Sequence, residues 1–129
     1  MLTEILYNSN MHFEHQLWKR ELAFWKDELN FLNIKLSELV TRWTNKEVLD
    51  KLEYYQNEFI VHGGIMEDIN EAITVHETHV AEEQDNIGLN EQDIKMIKKH
   101  IELRNSLETQ RQIYSDLKKE FFKFLEEFM

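Results

Sequence analysis

Alternating steps of three and four through the first third of the chain select Met11, His15, Trp18, Leu22, Trp25, Leu29, Leu32, Leu36, Leu39 and Trp43, and only His15 among them is not apolar. Residues at that spacing share one face of a helix, so the pattern predicts a single buried stripe along a long helix. Two more runs follow: Val48, Leu52, Tyr55, Phe59, His62, Met66, Ile69, Ile73, His76, Val80, then Met96, His100, Leu103, Leu107, Gln110, Tyr114, Leu117, Phe121, Phe124, Phe128. The expected fold is all-α: three long antiparallel helices, about residues 10–43, 46–83 and 91–128, in an up-down-up bundle with heptads like those of a coiled coil. At about 1.5 Å per residue each helix comes out near 50 to 55 Å.

The breaks between the runs carry turn chemistry. Thr44 with Glu47 has the spacing of a capping box, and Asn90 with Asp93 resembles a second. Gly88 lies in the connection from Asp85 to Leu89, where its tolerance of positive φ suits a turn. Connections this short force antiparallel neighbours. Gly63-Gly64 interrupts the second run, at roughly 1 kcal/mol per glycine relative to alanine, and a break there would give four helices. The heptad phase nevertheless continues from Phe59 and His62 to Met66 and Ile69, so one continuous helix is expected.

With 129 residues and 42% of them hydrophobic, the chain suits one domain over 1–129. Proline and cysteine are absent, which removes disulfides, zinc–thiolate sites and thiol nucleophiles and suits a reducing, cytoplasmic setting. No basic, apolar leader opens the sequence and no apolar run approaches membrane-spanning length, so neither export nor insertion is expected. Fifteen Lys and Arg against twenty-five Asp and Glu leave a charge of −10, the wrong sign for tracking phosphates, and nucleic-acid binding is not expected.

The chemistry lies in the histidines. Folding the runs back at their connections sets residue 12 roughly level with 76, and 76 roughly level with 97. His15, His76 and His100, each at a heptad core position of a different helix, then converge near one end, with His12 and His79 beside them and Glu14 at hand as a further ligand. Imidazoles from three helices are what a tetrahedral zinc site, or a non-haem iron site with an added carboxylate, asks of its scaffold. His76 and His79 also have the i, i+3 spacing at which two side chains of one helix share an ion. Three ligands with an open position could activate water, but nothing selects a reaction. The alternative is a non-catalytic structural or adaptor bundle whose buried histidines form a polar or pH-responsive layer. His62, apart from the others and level with Gln110, fits an isolated polar layer that fixes register. Glu21 and Glu28 flank the seam, where a carboxylate dyad could be buried, although such boundary positions are usually solvated.

The order of histidines loosely resembles that of the hemerythrin-like di-iron bundles, and His100 with Asn105 has the spacing of their His-x4-Asp. Met66 follows His62, and Val80 follows His76, where that family carries further ligands, and Asn105 replaces the aspartate. The resemblance implies at most a metal-binding bundle.

Outside the seam, Leu17, Phe24 and Phe31 recur every seven residues about 130° from its centre. A three-helix core does not reach them. A second copy of the chain is the expected cover, giving a symmetric dimer whose contact Phe122 and Leu125 could extend; the alternative is Leu2, Ile5, Leu6 and Tyr7 folding over the stripe.

Overall fold

A computed structural model describes residues 8–82 and 91–128. They form three helices, α1 (Asn8–Arg42), α2 (Lys46–Glu82) and α3 (Glu91–Phe128), with no strand among the described residues. Leu2, Ile5, Leu6, Tyr7, Gly88 and the proposed cap Asn90 lie outside the described residues.

The helix α2 runs unbroken through Gly63 and Gly64. A Cβ on Gly63 would meet Leu29 Cδ1 at 3.5 Å, ordinary contact, and one on Gly64 would meet nothing within 4 Å. Neither position demands a glycine. Packing along the seam on both sides outweighs the propensity cost of the pair.

The start of α2 differs from expectation by one residue. Asn45, not Thr44, is the cap: its Oδ1 accepts the N–H of Glu47 at 2.9 Å and of Val48 at 3.2 Å. Asparagine is among the best N-cap residues, and here its oxygen satisfies two of the donors that a helix start leaves open.

The seams read from sequence become the core. Trp18, Leu22, Trp25, Leu29, Leu32 and Leu36 of α1 pack with Val48 to Ile73 of α2 and Leu103 to Phe124 of α3 in one apolar cluster. Met11, Val80 and Met96 form a second, smaller cluster. Between the two lies a layer of buried His15, His76 and His100. Four seam positions depart from the pattern: Leu39, Trp43 and His62 are half-buried, and Phe128 is exposed at the end of α3. Asp93, one step before Met96, is buried although it was not placed on the seam.

The helix α2 packs closely against both neighbours, while α1 and α3 stand further apart. Long polar side chains bridge that wider gap in a repeating ladder. Glu14 pairs with Arg104, Glu21 with Arg111 and Glu28 with Lys118, every pair separated by 90 residues. The Glu28 oxygen that accepts from Lys118 at 2.8 Å also accepts the Tyr114 hydroxyl at 2.6 Å. Burial, the largest single influence on Glu28, pushes its carboxyl up, but Lys118 and Tyr114 together outweigh it and hold it below the usual range. Glu21 and Glu28 are therefore separate rungs rather than a buried dyad. Pairs this exposed are worth only about 0.2–1 kcal/mol each, yet the constant offset locks the axial register of two parallel helices. That register sets His15 beside His100.

Candidate metal centre

One histidine from each helix meets in the layer between the two apolar clusters. The ring centroids of His15 and His76 are 5.0 Å apart, those of His15 and His100 4.9 Å, and those of His76 and His100 5.5 Å. His15 Nε2 lies 3.0 Å from His76 Nδ1 and 3.2 Å from His100 Nδ1. All three rings are buried, with exposures of 1%, 2% and 0%.

The outward-facing nitrogens decide what the inward-facing ones can be. His76 Nε2–H donates to the backbone carbonyl of Met96 at 2.9 Å. His15 Nδ1–H donates to Glu77 Oε1 at 2.7 Å, and His100 Nε2–H donates to Glu14 Oε1 at 2.9 Å. A carbonyl and two carboxylates are acceptors only, so each neutral ring spends its single N–H outward. Three bare lone pairs then face one another. A single proton would bridge two of these nitrogens and leave the third unmatched; a metal ion satisfies all three at once. At the usual zinc–nitrogen length and tetrahedral angle, ligand nitrogens are about 3.3 Å apart; the two separations from His15 Nε2 are within a few tenths of an ångström of that, and one ligand nitrogen from each ring lies within 4.8 Å of the others.

The surrounding carboxylates are ionised. Burial pushes both up, as its largest single influence, but Arg104 and His100 hold Glu14 below the usual range, and His15 and His12 do the same for Glu77. Burial pushes all three histidines the other way. It holds His76 down at about 4, and it holds His15 and His100 below the ordinary range despite the upward pull of Glu77 and Glu14. The rings are thus neutral at neutral pH, the form that binds metals.

Of the six residues singled out as ligands, His15, His76 and His100 are brought together. Glu14 stands one step further out, orienting His100 while held by Arg104 through 2.6 Å and 3.2 Å contacts. His12 is exposed and donates from Nδ1 to Glu77 Oε2 at 2.5 Å. His79 is exposed on the wall of a cleft of about 440 Å³ between α2 and α3, which also touches His76, Lys95, Met96 and Lys99, and it is not among the histidines whose ligand atoms converge. His62 is separate, its Nδ1 accepting from the Gln110 amide at 3.0 Å with Glu58 3.4 Å from Nε2, a local polar layer of the kind expected.

Sequence reading missed Glu77, Arg104 and the Met96 carbonyl, and also Trp18, which stacks on His100 with centroids 4.7 Å apart and planes inclined by 25°. The signal for Glu77 was its symmetry with Glu14: each carboxylate adjoins a triad histidine in sequence and serves a triad histidine of another helix. A carboxylate or carbonyl on the far nitrogen is the usual support of a metal-bound imidazole, fixing its tautomer and raising its basicity. No family model, curated protein or solved structure matches the chain. Among the described residues no helix is long and apolar enough to cross a membrane.

Proposed function

We propose that this protein binds one transition-metal ion in the layer between its two apolar clusters, through His15 Nε2, His76 Nδ1 and His100 Nδ1. The observation that carries the reading is the outward commitment of all three N–H groups, to Glu77, Met96 and Glu14. A merely structural histidine layer would use those hydrogens to link the rings to one another. Here they support each ring from behind and leave the shared centre to a cation. Glu14 and Glu77 orient and polarise ligands, Arg104 anchors Glu14, and Trp18 fixes the plane of His100. Elemental analysis of tag-free protein tests the reading. One ion per chain is expected, falling to none in the His15→Ala, His76→Ala and His100→Ala variants; stoichiometry unaffected by all three would refute it.

We also propose that a second copy of the chain covers the outer stripe of α1. Leu17, Phe24 and Phe31 are 50%, 61% and 58% exposed, and Phe13 and Ile34 extend the same line. Exposed Arg20 and Asp27 punctuate it. An antiparallel pairing of two α1 helices about residues 23 and 24 sets Arg20 of each copy against Asp27 of the other and Phe13 against Ile34. A self-complementary charge pattern of this kind suits a twofold interface. The metal reading does not depend on it.

A further inference from the structure

The layers directly above and below the triad hold few atoms that can bind a metal. Toward the main core the neighbours along the seams are Trp18, Ile73 and Leu103, all buried. The indole of Trp18 lies against His100 and offers no lone pair. Toward the helix ends the neighbours are Met11, Val80 and Met96, packed together in the small cluster. Met11 precedes His15 by four residues and Met96 precedes His100 by four, so each thioether shares a helix face with a triad ligand. Both methionines are buried, at 0% and 7% exposure. The Met96 carbonyl is already engaged by His76 Nε2–H. Glu14 and Glu77 are held on the far nitrogens of His100 and His15. Among the described residues of these two layers, thioether sulfur is the side-chain donor left to complete a fourth position.

Charge points the same way. Glu14 is paired with Arg104, and Glu77 is engaged by both His12 and His15. A monovalent ion brings the least charge among three buried rings. A divalent ion brings twice that charge, and burying charge is costly.

Resting on the metal-centre reading above, we propose that the ion is copper(I), held by His15, His76 and His100 with a thioether of the Met11 and Met96 pair as its fourth ligand. Thioether selects copper(I) over zinc, while imidazole accepts either. Methionine is unbranched, and its three rotatable bonds let it swing toward the ion without moving the helices.

Two measurements test this on the full chain without a tag. Anaerobic competition against bicinchoninate gives copper(I) affinity, and competition against a chromophoric chelator gives zinc affinity. The Met11→Leu/Met96→Leu variant keeps core volume, a change that cores tolerate well. Its copper(I) affinity is expected to drop about tenfold or more while zinc affinity changes less than about twofold; each single variant then tells which sulfur is used. Independently of any variant, copper X-ray absorption of the wild-type protein is expected to show a sulfur neighbour beside three nitrogens. Copper(I) bound equally tightly by the double variant, or a nitrogen-only copper shell in the wild type, overturns the thioether assignment while zinc binding leaves the centre itself standing. Failure of both copper(I) and zinc to bind overturns the metal centre and this inference together.

Discussion

Replacing Glu77 by glutamine keeps the side chain's size and removes the charge that receives His15 Nδ1–H at 2.7 Å and His12 Nδ1–H at 2.5 Å. The amide still offers one oxygen, but its NH₂ group must face one of the two donors, and the imidazole of His15 loses the carboxylate that raises its basicity. Loss of such a partner typically weakens a metal site by about 10–100-fold. Zinc is a convenient probe. At a free concentration of about 100 times the wild-type dissociation constant, binding stabilises the native state by about 2.7 kcal/mol, and a variant weakened about 30-fold gains only about 0.9 kcal/mol. For a chain of 129 residues the unfolding entropy near the midpoint is about 0.27 kcal/mol/K. The expected zinc-induced rise in Tm is therefore about 10 °C for the wild type and about 3 °C for Glu77→Gln. Paired thermal melts with and without zinc, followed by circular dichroism, read both numbers. Equal rises in the two proteins would refute the supporting role of Glu77, and no rise in either would refute the site.

Three further expectations follow from other parts of the molecule. Gly64→Ala should stabilise the protein by about 0.5–1 kcal/mol in urea denaturation, because the added methyl meets nothing and helix propensity improves; destabilisation would mean that the glycine is needed for a contact the free chain lacks. In the metal-free protein, His76 is held at about 4 when folded and returns to about 6.5 when unfolded. The unfolded chain thus binds more protons between those values, and stability falls as pH drops through 6.5 toward 4. The loss from His76 alone is about 2 kcal/mol at pH 5, with His15 and His100 acting in the same direction; stability that stays level between pH 7.5 and 5 would contradict it. Light scattering at micromolar concentration should give a dimer mass that becomes monomeric in Phe24→Glu/Phe31→Glu, and a monomer in both would remove the proposed self-association.

The three helices and most of their buried faces were legible because a heptad seam fixes, residue by residue, which side of a helix turns inward. Antiparallel folding then makes height along the bundle a matter of counting, and that count brought His15, His76 and His100 together. Partner choice was not legible in the same way. Glu77 reaches His15, and Glu14 reaches His100, because the flanks of three helices face each other at particular rotations, and a seam says nothing about which flank meets which. The 90-residue offset that links Glu14, Glu21 and Glu28 to Arg104, Arg111 and Lys118 emerges only once the register of α1 against α3 is known. Charge at a boundary position reads equally as a solvated face or as a rung. The cap of α2 illustrates the same limit on a smaller scale: Thr44 and Asn45 are both good caps, and where the first turn begins decides between them.

The most direct test of the central claim is an anomalous-scattering map from crystals of the tag-free protein equilibrated with zinc or copper(I). A single strong peak is expected inside the bundle, about 2.0–2.1 Å from His15 Nε2, His76 Nδ1 and His100 Nδ1. A peak only at exposed His12 or His79, or an empty triad in crystals soaked at saturating metal, would contradict it.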